Sequence, residues 1–145
     1  MAIPLHPRRF ILQVVPSNLP IRTANADRTI LQATNSDTES KSIRIEFPGT
    51  YTIRFELTAT SVGPIFGTIY RNGIAIGTQR SVGNSGTTAF FENIGGWEKG
   101  DACQLFVRST AGTGGGTVRG FGILGEYRVI PPPVVGGDIL VDTNV

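Results

Sequence analysis

Few residues in the chain could do nucleophilic or acid–base chemistry. Among its 145 residues are one histidine and one cysteine. His6 lies in a proline-rich stretch, and a catalytic triad would need the fold to bring it into a cleft beside a nucleophile. Cys103 alternates in phase with Leu105 and Val107 in an apolar run, which is typical of a small buried side chain. The sequence therefore predicts no catalytic site, and we do not expect an enzyme.

Carboxylates and glycines give only weak indications of metal or phosphate sites. Asp37 and Glu39 share one predicted loop, and Glu98 and Asp101 share another. Calcium takes about six to eight oxygen ligands, and neither pair has the usual spacing, so solvated loop charge is the simpler interpretation. The glycine-rich stretch 112–116 resembles a phosphate-binding loop in composition, but a strand and not a helix is predicted to follow it. We therefore expect no metal ion or other cofactor.

The composition limits the partners that charge alone would attract. Charged residues make up 17% of the chain, well below the roughly 25% of an ordinary globular protein. The formal net charge of +2 is small and the basic residues are scattered, so nucleic acid is not an expected partner. No apolar run is long enough to span a membrane, and a membrane is not expected as a partner. A single cysteine allows no disulfide within the chain, which fits one domain assembled in a reducing cytoplasm.

The alternating stretch from Gly49 to Ala59 gives the strongest indication of the fold. Tyr51, Phe55 and Leu57 are among the apolar residues that alternate there with polar ones, and this period of two predicts a strand with one buried and one solvated face. Shorter runs predict further strands at 28–34, 41–47, 64–71, 74–77, 87–94, 102–110 and 117–130. About eight short strands without an amphipathic helix predict an all-β fold, an antiparallel jelly-roll sandwich.

Two strand connections can be interpreted in more detail. Asn72-Gly73 between two apolar runs is typical of a two-residue type I′ turn, which would pair Arg71 with Ile74. Both faces of that hairpin carry apolar side chains, so we expect one to face the core and the other a subunit contact. The strand that ends at Phe47 and the one that contains Tyr51 either form a hairpin with these two residues opposite each other or lie in different sheets.

Two terminal segments are predicted to flank the sandwich. Residues 1–26 contain four prolines, which forbid a helix and break a central strand, yet they are rich in apolar residues. Such an arm is expected to be extended and to lie on its own domain or on a neighbour. Residues 131–145 repeat the pattern, with three prolines, two glycines and then an apolar run. The expected organisation is an arm at 1–26, a jelly-roll domain at 27–130 and a second arm at 131–145.

Apolar residues that the predicted core does not use are candidates for contacts with another subunit or with a shell. Trp97 follows Gly95-Gly96, which is expected to end a strand, and its indole could stack on a sugar, contact a subunit or lie in the core. The residues expected at contacts are Phe10, Ile11, Leu12, Val14, Val15, Phe66, Tyr70, Trp97, Ile139, Leu140 and Val141.

Three short motifs occur in an order and spacing that resemble those of a known superfamily. They are Pro48-Gly49-Thr50-Tyr51-Thr52-Ile53, Tyr70-Arg71-Asn72-Gly73 and Trp97-Glu98-Lys99-Gly100-Asp101, and a final strand rich in Gly and Phe follows them. Over about residues 43–130 the chain resembles the tumour-necrosis-factor-like jelly roll. That superfamily includes the globular heads of complement-type collagens, and bacteriophage and viral proteins of capsid surfaces and tail fibres. The resemblance implies a homotrimer, with the strands of one sheet packed around a threefold axis.

The sequence departs from the secreted members of that superfamily, because it has proline-rich apolar arms in place of a collagen-like stalk, a signal peptide or a membrane anchor. Small jelly rolls with apolar arms resemble virion proteins whose arms link subunits. The expected function is therefore that of a structural virion protein, a trimeric decoration protein that binds the major capsid protein or another virion protein and is assembled in the host cytoplasm. The alternative is a receptor- or glycan-binding head of a phage tail fibre or adhesin.

Overall fold

A computed structural model describes residues 11–24, 26–30, 36–60, 64–83, 85–110 and 115–131. In these residues the chain forms strands and no helix. The strands are β1 (Ile11–Ala24), β2 (Arg28–Ile30), β3 (Thr38–Arg44), β4 (Gly49–Ala59), β5 (Ile65–Arg71), β6 (Ile74–Ala75), β7 (Arg80–Val82), β8 (Thr87–Trp97), β9 (Ala102–Ser109) and β10 (Gly116–Ile130). The predicted all-β fold is confirmed.

The strands form two 5-stranded sheets that pack together as a β-sandwich. Sheet A has the order β2-β10-β1-β4-β8, and β10 also pairs with β4. Sheet B has the order β3-β9-β5-β6, and β7 also pairs with β5. Neighbouring strands run antiparallel, apart from a parallel bridge between Val14 of β1 and Gly49 of β4.

Strand β4 lies within sheet A and pairs with β10 along one edge and with β8 along the other. Its alternation points Tyr51, Ile53, Phe55 and Leu57 inward, each at 1% exposure or less. Complete burial of an apolar side chain of this size contributes about 1.5–3 kcal/mol. The buried face that the sequence predicts for this strand is confirmed, and it forms one wall of the core.

The inner face of sheet B forms the other wall of the core. In β9, Cys103, Leu105 and Val107 are buried at 4% exposure or less, and the residues between them point outward. In β5, Ile65 and Ile69 are fully buried. The burial of Cys103 in phase with its neighbours confirms the prediction that it is a core side chain.

Polar contacts join the two sheets at both open sides of the sandwich. At one side, the Glu92 carboxylate of β8 accepts hydrogen bonds from the backbone amide of Thr78, at 3.1 and 3.2 Å. At the other side, the Arg28 side chain of β2 donates to the carbonyl of Ser40 in β3 at 3.0 Å. Thr78 lies between β6 and β7 of sheet B, so the first contact links sheet A to sheet B. The second contact does the same, because β2 belongs to sheet A and β3 to sheet B.

The hairpin between β5 and β6 has the predicted turn. Asn72 and Gly73 have positive φ angles of 49° and 82°, as a type I′ turn requires, and Arg71 pairs with Ile74. Ile74, which was expected on a covered face, is 68% exposed. Its own chain therefore leaves Ile74 uncovered, because β6 is a 2-residue strand at the edge of sheet B, and the expected subunit contact stays a prediction.

Two further connections differ from the simplest sequence interpretation. Strands β3 and β4 belong to different sheets, so the hairpin alternative for this pair is wrong. Strand β8 continues through Gly95-Gly96 to Trp97, so the expectation that these glycines end the strand is also wrong. Gly49 pairs with Trp97 and Tyr51 pairs with Ile94. The extra residue forms a β-bulge, which lets the strand continue past the glycines.

Much of the predicted N-terminal arm forms strand β1 of sheet A. It pairs with β10 along its length, and Val14 is 2% exposed. The register shifts between Val15 and Pro20 and again between Pro20 and Arg22, and the two prolines of this stretch cannot donate to the ladder. Residues 11–24 therefore lie on their own domain, one of the two positions that the sequence allows for an arm. Residues 1–10 and 132–145 of the predicted arms lie outside the described residues.

Candidate binding surfaces

The predicted contact residues of the two arms are only partly within the described residues. Phe10 and residues 139–141 lie outside them. Leu12 and Val15 are partly buried in β1. Val14 is 2% exposed and belongs to the core cluster. Of the described residues in this group, Leu12 and Val15 therefore offer side-chain surface to a partner.

Trp97 ends β8 and is 1% exposed. The guanidinium carbon of Arg71 lies 4.4 Å from the centroid of its ring. Arg71 also donates to the carbonyl of Gly95, and its Nε lies 4.0 Å from the Asp101 carboxylate. Of the three roles that the sequence allows for Trp97, this burial fits a core residue, because the indole offers almost no surface to a sugar or a subunit.

The outer side of sheet B carries a surface that we name the aromatic face, formed by Phe66, Tyr70, Phe106, Arg108 and Asp37. Phe66 and Tyr70 point outward because they alternate with the buried residues of β5, and Phe106 and Arg108 do the same in β9. The rings of Tyr70 and Phe106 stack, with centroids 3.9 Å apart and planes inclined by 13°. The guanidinium of Arg108 lies 4.0 Å from the centroid of the Phe66 ring.

Asp37 fixes the polar groups of the aromatic face. Its carboxylate accepts a hydrogen bond from the Tyr70 hydroxyl at 2.8 Å and lies 3.6 Å from Nε of Arg108. The hydrogen bond to Asp37 raises the pKa of Tyr70 above its ordinary value. A carboxylate and a guanidinium thus compensate each other's charge beside stacked rings.

Sequence reasoning identified Phe66 and Tyr70 but missed Phe106 and Arg108. Phe106 is an apolar residue out of phase with the buried face of β9, as Phe66 and Tyr70 are in β5. That signal could have identified an outward ring on each strand. Their meeting depends on the pairing of β5 with β9, which no local pattern predicts. Asp37 comes from the segment before β3 and was considered only as a calcium ligand.

Both terminal segments join the sandwich at one corner of sheet A, which we name the terminal corner. Ile11 at the start of β1 pairs with Ile130 at the end of β10. Beside this pair, Val129 is 62% exposed and Tyr127 is 46% exposed. The Tyr127 ring packs edge-to-face on Phe47, with centroids 5.3 Å apart. Exposed apolar side chains thus surround the place where both terminal segments are attached.

A shallow depression of about 50 Å³, which we name the edge depression, opens beside the terminal corner. It is lined by Ile21, Arg22, Arg44, Glu46, Tyr51, Ile123 and Tyr127. Ile123 and Tyr51 are at 2% exposure or less, so most of the surface that the depression offers is polar. Burial raises the pKa of Tyr51 to about 12. On the rim, the Arg22 side chain lies 3.3 Å from the Glu46 carboxylate.

The groups considered for catalysis or metal binding have structural roles where they are described. The Asp101 carboxylate accepts hydrogen bonds from the Asn72 side chain at 3.0 Å and from the Glu98 amide at 2.9 Å, so it holds its own turn. Burial raises the pKa of the Cys103 thiol to about 12. Among the described residues, no group of three or more His, Cys, Asp or Glu side chains could hold a metal ion. His6 lies outside these residues.

No protein-family model matches the chain, and no curated protein matches it in sequence. In the part of the chain that the structure describes, no helix is long and apolar enough to cross a bilayer. Inference about function therefore rests on the aromatic face and the terminal corner.

Proposed function

We propose that the protein is a structural virion protein, a trimeric decoration protein that binds and stabilises a capsid shell. Its partner is the major capsid protein or another virion protein, it is assembled in the host cytoplasm, and it acts without enzymatic activity or a cofactor. The observation that carries the proposal is the pairing of Ile11 with Ile130. Residues 1–10 and 132–145 are therefore attached to the ends of neighbouring strands, close to the exposed Tyr127 and Val129. Two linked segments at one corner can bind a shell together, which raises avidity without a large flat interface.

The finer assignment of the fold to a jelly roll belongs to this proposal. In a jelly roll, a long antiparallel hairpin is rolled up, so the first strand pairs with the last and the second with the next to last. With the short strands β2 and β6 set aside, the pairs β1–β10, β3–β9, β4–β8 and β5–β7 follow this scheme. The scheme supports the resemblance to the tumour-necrosis-factor-like superfamily.

The homotrimer is proposed to form through the outer face of sheet A. Phe91 is 55% exposed on that face, and the Arg54 guanidinium lies 5.8 Å from its ring centroid. Glu56 of β4 lies 3.9 Å from Arg54 on the same face, so the charge beside the ring is compensated, and Thr52, Thr58 and Thr87 add small polar side chains. A long strand face with one exposed aromatic ring suits packing against copies of itself.

Attachment to shells tests the proposal. The full chain and two variants, one lacking residues 1–10 and one lacking 132–145, are sedimented with capsid shells purified from the virus that encodes the protein. The full chain is expected to sediment with the shells, and each deletion is expected to reduce this binding. The N-terminal deletion stops at residue 10, because β1 begins at Ile11 and a longer deletion would remove a strand of sheet A.

The control for this experiment is Phe106→Ala, which alters the aromatic face and leaves the terminal corner intact. It is expected to bind the shell as the full chain does. Circular dichroism of each variant checks that the sandwich is folded. If the full chain remains in the supernatant, or if both deletion variants sediment as well as the full chain, attachment through the terminal corner is wrong.

A second candidate function is glycan binding by the aromatic face, as in a receptor-binding head. Sugar rings stack on aromatic side chains, and fixed charged groups can bind their hydroxyls. The Tyr70–Phe106 stack beside Arg108 and Asp37 provides both kinds of group. On a glycan array, Phe106→Ala is expected to abolish a signal that Phe91→Ala, on the opposite sheet, retains. Absence of any signal from the full chain would remove this candidate.

A further inference from the structure

The turn between β5 and β6 contains the one Asn-Gly dipeptide of the sequence, Asn72-Gly73. Asparagine is among the chemically labile residues of proteins. It is most labile before glycine, because glycine has no side chain to hinder attack on the asparagine carboxamide. Both residues are exposed to solvent, so burial does not protect them. The reaction open to this turn is deamidation.

In deamidation, the backbone nitrogen of Gly73 loses its proton and attacks Cγ of Asn72. A bond forms between this nitrogen and Cγ, the bond between Cγ and Nδ2 breaks, and the released nitrogen takes up a proton and leaves as ammonia. Water then opens the resulting succinimide at either of its two carbonyl carbons, which gives aspartate or isoaspartate at position 72. The reaction therefore needs a Gly73 amide that can lose its proton and a carboxamide that is free to turn toward it.

The Gly73 amide is restrained by Gln104 of β9. It donates a hydrogen bond to Oε1 of Gln104 at 2.7 Å, so the proton that must leave is held. The partial negative charge of this oxygen also disfavours the anion that forms when the proton leaves. Nε2 of Gln104 donates to the Glu39 carboxylate at 2.5 Å, and this contact keeps Oε1 directed at Gly73.

The Asn72 carboxamide is restrained by the residues at the start of β9. Its Nδ2 donates to the Asp101 carboxylate at 3.0 Å, and its Oδ1 accepts a hydrogen bond from the Ala102 amide at 2.8 Å. The Asn72 amide also donates to the Ala102 carbonyl at 3.1 Å. Rotation of the carboxamide toward Gly73 would break both of its hydrogen bonds. Both reacting groups are thus fixed by contacts with a neighbouring part of the sheet.

We propose that Asn72 is a deamidation site that the folded sandwich holds inactive, and that Gln104 is the residue that restrains it. The site becomes reactive when the end of the β5–β6 hairpin separates from β9. Local openings of this kind occur more readily at exposed elements than in the core. Strand β6 has 2 residues and lies at the edge of sheet B, so little backbone pairing opposes the opening.

The product of the reaction does not fit the closed turn. Aspartate at position 72 has no Nδ2 donor, and its carboxylate would replace a group that now lies 3.0 Å from the Asp101 carboxylate. Like charges at this distance repel each other. Isoaspartate also adds a methylene to the main chain of a turn in which both residues have positive φ angles. Deamidation is therefore expected to keep the hairpin open, whether or not the protein binds a shell.

Mass spectrometry of the full chain tests the proposal. The folded protein is incubated in mildly alkaline buffer, in parallel with the same chain unfolded in guanidinium chloride. The mass change of deamidation is then followed in the tryptic peptide 72–80. The folded chain is expected to deamidate at least about tenfold more slowly than the unfolded chain, because reaction requires local opening. Equal rates would overturn the proposal.

Gln104→Ala tests the restraining residue. It removes the acceptor of the Gly73 amide, and deamidation of the folded chain is expected to become severalfold faster. Arg108→Ala is the matched control, because Arg108 lies on the same strand and face but pairs with Phe66, away from the turn. It is expected to keep the native rate, and circular dichroism checks that both variants are folded. A native rate in Gln104→Ala, or equal acceleration in both variants, would overturn the role of Gln104.

Glu39→Ala tests the same restraint at an exposed position. It keeps the acceptor of the Gly73 amide but releases Nε2 of Gln104, so the side chain can turn away. The deamidation rate is expected to lie between those of the native chain and Gln104→Ala. A native rate in Glu39→Ala would contradict the orientation of Gln104 by Glu39.

Asn72→Asp reproduces one product of the reaction. It is expected to accelerate hydrogen exchange severalfold at the amides of Gly73 and Ile76, which are both hydrogen-bonded in the closed hairpin. Addition of Asp101→Asn exchanges donor and acceptor between the two side chains and keeps an acceptor for the Glu98 amide. The double variant is therefore expected to restore slow exchange. Unchanged exchange in Asn72→Asp, or no restoration in the double variant, would contradict the expected opening of the hairpin.

Discussion

Phe55 is a large apolar residue on the inner face of β4, at 1% exposure, with its ring centroid 5.5 Å from that of Phe90. We expect Phe55→Ala to lower the free energy of unfolding by about 3–5 kcal/mol, because it loses transfer energy and leaves a cavity. Ile74→Ala is the control, since Ile74 is 68% exposed, and it is expected to change stability by no more than about 0.5 kcal/mol. Urea denaturation measures both. Equal effects would contradict the assigned core.

Cys103 and Tyr51 should make the protein sensitive to alkali. Burial raises the pKa of Cys103 from 9.0 to about 12 and that of Tyr51 from 10.0 to about 12. The unfolded chain therefore loses these protons at a lower pH than the folded chain does. Their contribution to stability is complete below about pH 9 and is lost as the pH rises toward 12.

Cys103→Ala isolates the part that the thiol contributes to this pH dependence. Each such group changes the free energy of unfolding by about 1.4 kcal/mol per pH unit within its window. The decline of stability above pH 9 should therefore be shallower in Cys103→Ala than in the native chain by about that amount. Urea unfolding at a series of pH values measures it. Parallel curves, or rapid reaction of the native thiol with a bulky reagent, would show that Cys103 is accessible.

Among the strands, β4 and β9 could be predicted with their buried faces, because an alternation of period two is a local property of the sequence. Strand β1 could not be predicted. Its prolines argue against a central strand, and its partner β10 lies at the other end of the chain. The structure accommodates the prolines where the register of β1 with β10 shifts. The separation of β3 and β4 into two sheets was likewise undetermined, because loop length allows both arrangements.

The contact between β1 and β4 depends on Gly49. Its φ is 143°, and a Cβ atom added there would lie 2.2 Å from the carbonyl oxygen of Val14. The Val14 amide donates to the Pro48 carbonyl at 2.9 Å, so the two strands meet closely here. Gly49→Ala is expected to lower the free energy of unfolding by about 3 kcal/mol or more, because it strains the backbone and displaces β1.

Gly73→Ala is the matched control for this glycine. Its φ is also positive, at 82°, but no atom lies within 4 Å of an added Cβ. Gly73→Ala is therefore expected to lower the free energy of unfolding by only about 1–2 kcal/mol, the cost of placing a Cβ atom at a positive φ angle. Hydrogen exchange should show faster exchange of the β1 amides in Gly49→Ala and unchanged exchange there in Gly73→Ala. Equal losses of stability in the two variants would mean that β1 is not held at Gly49.

In the folded molecule, the aromatic face and the terminal corner depend on contacts between strands that are distant in sequence. Phe66 and Tyr70 could be identified from their phase in β5, but their stack with Phe106 required the pairing of β5 with β9. The terminal corner required the pairing of Ile11 with Ile130. The sequence indicated apolar terminal segments without indicating that both are attached at one place.

The proposed trimer predicts the mass of the particle in solution. Each chain has a mass of 15.5 kDa, and light scattering at micromolar concentration should give about three times that value. Phe91→Ala, which removes the exposed ring from the outer face of sheet A, is expected to shift the equilibrium toward monomer. A mass near that of one chain for the unmodified protein would rule out the trimer under these conditions.

The proposal that the protein belongs to a virion is tested most directly by quantitative mass spectrometry of virions purified from the source in which this sequence occurs. We expect peptides of this chain in many copies per particle, in a fixed ratio to the major capsid protein, because a decoration protein covers the shell. A fixed ratio should persist through repeated gradient purification. Absence of the chain from intact virions that contain the full set of capsid and tail proteins would contradict the proposed function.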